Sequence, residues 1–250
     1  MTRRSVGRGV VLALISAVVA ASGQGVYAAD PPRAARAGRR ADQVALKAYG
    51  PFVGKWRGVG QVERGRTKGA WTESATWAWS LTQDSAALEL AVARGKYLKS
   101  ARLKPEPNPG SFRFEAILAD GSKRAFSGKA VTDGPLVLTS EGPAQGVRRI
   151  TLTPFHDTRL LVLYESEDAD RGSFDRLGEV GYTREGVAFA AGDSYPVCIV
   201  TEGRGTIAVN HKGKTYHVCC SGCRDLFNEN PEAILAEAEA RRKEKASAAK

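Results

Sequence analysis

Between Gln43 and roughly Ala191 the chain alternates apolar and polar residues in short runs, interrupted at steady intervals by turn-forming pairs. A helix repeats its faces every 3.6 residues, so a period of two commits this cysteine-free stretch of about 150 residues to β-structure. Ten strands are expected: Trp56 to Val62, Trp71 to Leu81, Ala87 to Ala93, Lys96 to Leu103, Phe112 to Leu118, Lys123 to Ala130, Leu136 to Ser140, Arg148 to Pro154, Arg159 to Tyr164 and Glu179 to Ala190. Glu63-Arg64-Gly65, Pro105 to Gly110, Asp120-Gly121, Asp133-Gly134 and Glu141-Gly142 supply the turns. Short strands at this spacing form a barrel or a sandwich, here with a short helix over Asp42 to Ala48 closing one end. Trp71, Trp77 and Trp79 fall on one face of a strand and are read as core.

Catalytic equipment is missing from this region. His156 is its sole histidine and falls between two strands, in a turn. Asp157 beside it could orient the ring, but no nucleophile elbow, cysteine or acidic pair completes a set. The chain is therefore read as a non-enzyme.

The N-terminus speaks of place. Residues 2 to 8 carry three arginines, Gly9 to Ala21 form an apolar run too short for a permanent span, and Val26-Tyr27-Ala28 offers small residues at cleavage offsets. Residues 1–28 are accordingly expected to be a signal peptide, leaving a periplasmic or secreted protein with no membrane span. Arg3-Arg4 hints weakly at twin-arginine export. Without the leader's three arginines, 34 Lys and Arg face 27 acids, a net charge of +7. The excess gathers at the ends, where 29–41 is expected to be a flexible linker and 241–250 a basic flexible tail. Nucleic-acid binding would need basic residues interleaved with aromatics on a folded surface, and that pattern is missing.

All four cysteines, Cys198, Cys219, Cys220 and Cys223, lie within 26 residues. Twenty residues separate Cys198 from Cys219, and the strand-like Thr215 to Val218 runs straight into the second cluster; such spacing suits a hairpin clamped by metal. Tyr195-Pro-Val-Cys198, then His211 to Cys223, then Phe227 to Glu232, resembles the YHS/TRASH family of heavy-metal-binding domains over about a fifth of the chain. That resemblance implies metal-ligating thiolates at Cys198, Cys219 and Cys223 and a role in transport, resistance or sensing. The chain departs from it at Ile199 and Val200, where many members have Gly and Met.

Thiolates are soft donors, so three of them select zinc, cuprous copper or another thiophilic ion over magnesium or calcium. Strand alternation would put His217 on the side of Cys219, making it a candidate fourth ligand. Cys220 is another, because Cys220-Ser-Gly-Cys223 has the Cys-x2-Cys spacing of zinc knuckles. Gly222 permits a tight turn, and Cys223 falls at a helix start, where the dipole favours an anionic sulfur. Asn230-Pro231-Glu232 reads as an N-cap, a first-position proline and a first-turn acid, opening a helix toward Arg242. Competing readings are two structural disulfides, a His217 that merely packs, and a Cys220/Cys223 redox dithiol.

Phe52-Val-Gly54-Lys-Trp56-Arg-Gly58-Val-Gly60 resembles, less specifically, the opening strand of lipocalin-like (calycin) barrels, including those related to nitrobindin. Haem binding in that group uses a histidine near the barrel's C-terminal end; Gly178 to Ala191 has none, so no haem is expected. The whole is a mainly β chain. Residues 42–191 form a lipocalin-like antiparallel barrel, and 192–240 a small α+β, treble-clef-like metal-binding module holding a thiophilic ion for sequestration, delivery or sensing. The alternative makes the barrel a carrier of a small apolar ligand and the cysteines a structural knuckle.

Overall fold

The alternation closes on itself. The computed structural model describes residues 33–132, 134–140, 145–155, 158–168, 170–185 and 196–248; the expected leader, His156, Asp157 and Tyr195 lie outside the described residues. Ten strands, β1 (Gly54–Gln61), β2 (Trp71–Leu81), β3 (Ala86–Ala93), β4 (Leu98–Pro105), β5 (Ser111–Leu118), β6 (Lys123–Lys129), β7 (Leu136–Thr139), β8 (Arg149–Phe155), β9 (Arg159–Asp168) and β10 (Ser173–Arg184), run in sequence order. Each pairs antiparallel with the next, and β10 returns to β1, giving a closed barrel with no free edge. The sequence placed all ten. The largest shifts are at the last two: β9 runs on to Asp168, past the expected Tyr164, and β10 starts at Ser173 instead of Glu179, where a bulge between Arg176 and Gly178 interrupts its alternation. The expected end of β10 at Ala190 lies outside the described residues.

Inward positions alternate cleanly along the strands, as in β1, where Trp56, Gly58 and Gly60 are buried between exposed Arg57 and Val59. The interior is filled with rings: Trp77 lies 5.4 Å from Phe52 and 6.4 Å from Phe114, which in turn meets Phe126. Each such burial contributes about 1.5–3 kcal/mol. Two β1 glycines make room for two further rings. A Cβ on Gly60 would fall 2.1 Å from the Trp71 ring, and one on Gly58 2.6 Å from Tyr182. Trp56 donates its indole N–H to the Phe52 carbonyl at 2.7 Å, tying the first strand's base to the chain before it. Trp77 and Trp79 are buried as expected, whereas Trp71 is half-buried and donates to the buried carboxylate of Glu73 at 2.6 Å.

Both termini correct the sequence reading. The stretch expected as a linker over 29–41 is helical from Arg33: α1 (Arg33–Ala45) is followed by a 3-10 turn, Lys47–Phe52. The helix expected from Asp42 thus begins nine residues earlier, at Arg33. The added part was hidden because its apolar side is built of alanines among arginines, and its buried side chain is Arg39, whose guanidinium is bound at 2.9 and 3.1 Å to both carboxylate oxygens of Glu237. Asp42 accepts the Ala86 N–H at 2.9 Å, pinning α1 to the start of β3. The expected basic tail is the last part of a helix, α3 (Pro231–Ala248), where Arg241 donates to the Ile199 carbonyl at 2.6 Å and Lys245 to Glu202 at 2.7 Å. Those basic residues are held by the loop that carries Cys198.

Between barrel and α3 come the hairpin β11 (Ile207–His211) and β12 (Lys214–Val218), then α2 (Ser221–Glu229). Lys212 and Gly213 both have positive φ, the two-residue turn that matches the twist of a hairpin. The described residues form one compact unit. Gly222 shows why: a Cβ there would sit 1.7 Å from the Trp79 carbonyl oxygen, so α2 rests its first turn directly on β2. Close approach, and not the tight turn expected from the sequence, is what this glycine provides.

Candidate metal centre

Cys198 is held in a loop tied by its own backbone. Its N–H donates to Gly203 at 2.7 Å, its carbonyl accepts from Glu202 at 2.9 Å, and Val197 bridges Arg204. Glu202 takes a φ of +61°, a left-handed conformation that costs a non-glycine residue about 1–2 kcal/mol. The loop's Ile199 N–H donates to the His217 carbonyl at 2.9 Å, so the loop is carried on β12. At the far end of β12 the strand stops at Val218, Cys219 and Cys220 follow, and Cys223 enters the first turn of α2. Loop, hairpin and helix thus deliver sulfurs from two sides, a treble-clef-like order.

The sulfurs of Cys198, Cys219 and Cys223 all lie within 4.8 Å of one another, and all three residues are buried. Cys219 and Cys223 are 3.5 Å apart. A tetrahedral zinc with bonds of about 2.3 Å to sulfur spreads its thiolates about 3.8 Å apart, so the triad fits such an ion without rebuilding. All four cysteines are free thiols. Burial disfavours charge on every one of them, and proximity settles where charge goes. Donation from Cys219 and Cys223 holds the Cys198 thiol far below its ordinary value, while giving those protons pushes Cys219 and Cys223 upward. Cys220, which accepts from Cys219, Cys223 and the Trp79 N–H, is lowered in the same way, to about 3. Cys198 is thus the one sulfur of the triad that is readily anionic, and three anionic sulfurs need a cation.

The remaining sequence candidates are placed differently. The sulfur of Cys220 lies 3.9 Å from that of Cys219 and accepts the Trp79 N–H at 3.3 Å, facing the barrel wall outside the triad. Burial of both Cys219 and Cys220 breaks the alternation that would have paired His217 with Cys219. The half-buried His217 ring is outside the group, its Cβ close beside Gly205. Asn230 caps α3 as expected, accepting the Ala233 N–H at 3.1 Å.

Thr201 was missed by the sequence reading. Its hydroxyl lies 3.5 Å from the sulfur of Cys219 and 4.0 Å from that of Cys223, and its hydrogen bonding helps lower Cys198. The available signal was spacing, since Cys198-Ile-Val-Thr201 puts an oxygen where a knuckle's second cysteine would stand. Thr201 and Cys219 both line a cleft of about 710 Å³ between the barrel mouth, α1 and α3. The centre is therefore reachable from solvent on one side.

No family model matches this chain, and no curated protein matches it. Among solved structures it is similar to Rv2717c from M. tuberculosis, with 16% identity and a TM-score of 0.37 over 56% of this chain and 97% of that one.

Proposed function

We propose that this protein holds a thiophilic metal ion of the zinc or copper class on Cys198, Cys219 and Cys223, for sequestration, delivery or sensing, and is not an enzyme. The convergence of three buried sulfurs within 4.8 Å carries the reading. Soft donors and tetrahedral spacing suit such an ion, and magnesium or calcium would demand oxygens. The order of loop, hairpin and helix, with Cys-x20-Cys-x3-Cys spacing, supports a YHS/TRASH-like module. The leader-like residues 1–28 favour export to the periplasm or exterior.

The carrier alternative draws no comparable support, because Trp56, Trp77, Phe114, Phe126 and Tyr164 occupy the inward positions and are fully buried. A test is elemental analysis of the protein purified under reducing conditions. About one zinc or copper per chain is expected, lost in Cys219→Ser and Cys223→Ser variants that still fold. A metal-free wild-type protein that binds no added zinc or cuprous ion would overturn the proposal.

A further inference from the structure

We infer that Thr201 marks the fourth corner of the metal centre and that this corner opens to the cleft, so a small anionic donor from solvent can bind the ion there. The inference rests on the metal-binding reading above and adds to it how the ion is exchanged. A tetrahedral zinc with three sulfurs and one oxygen sets that oxygen about 3.6 Å from each sulfur. The Thr201 hydroxyl stands at 3.5 and 4.0 Å from two of the three, and it also faces the third. Cys220 also stands beside two of the sulfurs, 3.9 Å from Cys219 and hydrogen-bonded to Cys223, but its sulfur accepts the Trp79 N–H and is not in the group of three that includes Cys198; His217 is outside the group too.

A neutral hydroxyl is a weak ligand compared with a thiolate, so this corner is the one at which the ion can be approached. It is also the one in reach, because Thr201 and Cys219 are the centre's residues that line the cleft. Among the described lining residues, seven are Arg or Lys and three are Glu, a wall that draws anions and repels a bare hydrated cation. The fit is to a soft anion, such as the thiolate of a carrier that brings or removes the ion as a complex. Replacing Thr201 by cysteine would complete a Cys-x2-Cys knuckle and close the corner with a fourth sulfur.

The experiment uses the full chain loaded with cobalt(II), whose visible bands report its ligands, and thiocyanate as the anionic probe. Thiocyanate is expected to shift the bands of the unaltered protein. In Thr201→Cys the thiolate-to-cobalt absorption should rise by about a third, four sulfurs replacing three, the thiocyanate response should vanish, and removal by a chelator should slow at least about tenfold. Bands in the unaltered protein that do not respond to thiocyanate would overturn the inference even if Thr201→Cys failed to fold, since they mean a filled fourth corner. Unchanged chelator removal from a folded Thr201→Cys variant would overturn it too. An unaltered protein that takes up no cobalt would instead defeat the metal reading on which this one stands, and the two failures are told apart by cobalt uptake alone.

Discussion

A metal ion held at Cys219 and Cys223 would compete with a proton for each sulfur. Both thiols are pushed upward because they donate to Cys198 and lie in a buried site, so both carry their protons near neutrality, while Cys198 is held low and is already ionised. Binding an ion must therefore expel two protons, and the sign follows: affinity rises with pH. Zinc competition titrations one pH unit apart near neutrality should differ roughly a hundredfold in affinity. A change of tenfold or less would show that fewer thiols hold protons than the geometry implies. Thr201 belongs to the same scale, since one hydroxyl in place of a sulfur separates a site that exchanges its ion from one that keeps it.

The elements that carry these residues were unequally legible. Period-two alternation with Gly- and Asp-rich turns located the ten barrel strands, because inside a closed barrel every strand has one buried face. The hairpin, the Cys223 helix start and the Asn230 cap were legible for similar local reasons. α1 was legible only in its last turn, from Asp42, since the turns before it offer alanines among arginines and are held by an Arg–Glu contact with a distant helix. His217 was assigned by carrying strand alternation past Val218, where the strand ends. The α1–α3 contact is itself testable. Arg39 has 5% side-chain exposure and Glu237 has 29%, so whichever partner is left alone pays differently. Glu237→Gln strands a buried guanidinium and should cost about 2–3 kcal/mol, whereas Arg39→Met, which keeps the apolar stem and leaves a carboxylate half in water, should cost about 1 kcal/mol. Urea unfolding of both variants checks the order, and equal costs would mean that the pair is not what docks α1.

For the whole molecule, the question is whether the metal centre and the barrel are separate bodies joined by a tether. Three contacts say they are one. The first turn of α2 touches the Trp79 carbonyl with no room for a side chain at Gly222, Cys220 accepts the Trp79 N–H, and α1, itself pinned to β3, grips α3 through Arg39. Binding energy delivered to the sulfurs should then be felt by the barrel's unfolding equilibrium. An ion that binds only the folded state adds about 2.7 kcal/mol when its free concentration is a hundred times its Kd, and more at higher ratios. Calorimetry of the loaded protein should show a single transition that moves to lower temperature as a whole when a chelator is added. Two transitions, of which only the smaller responds to the chelator, would show that the module melts alone and that the Trp79 contacts do not couple it to the barrel.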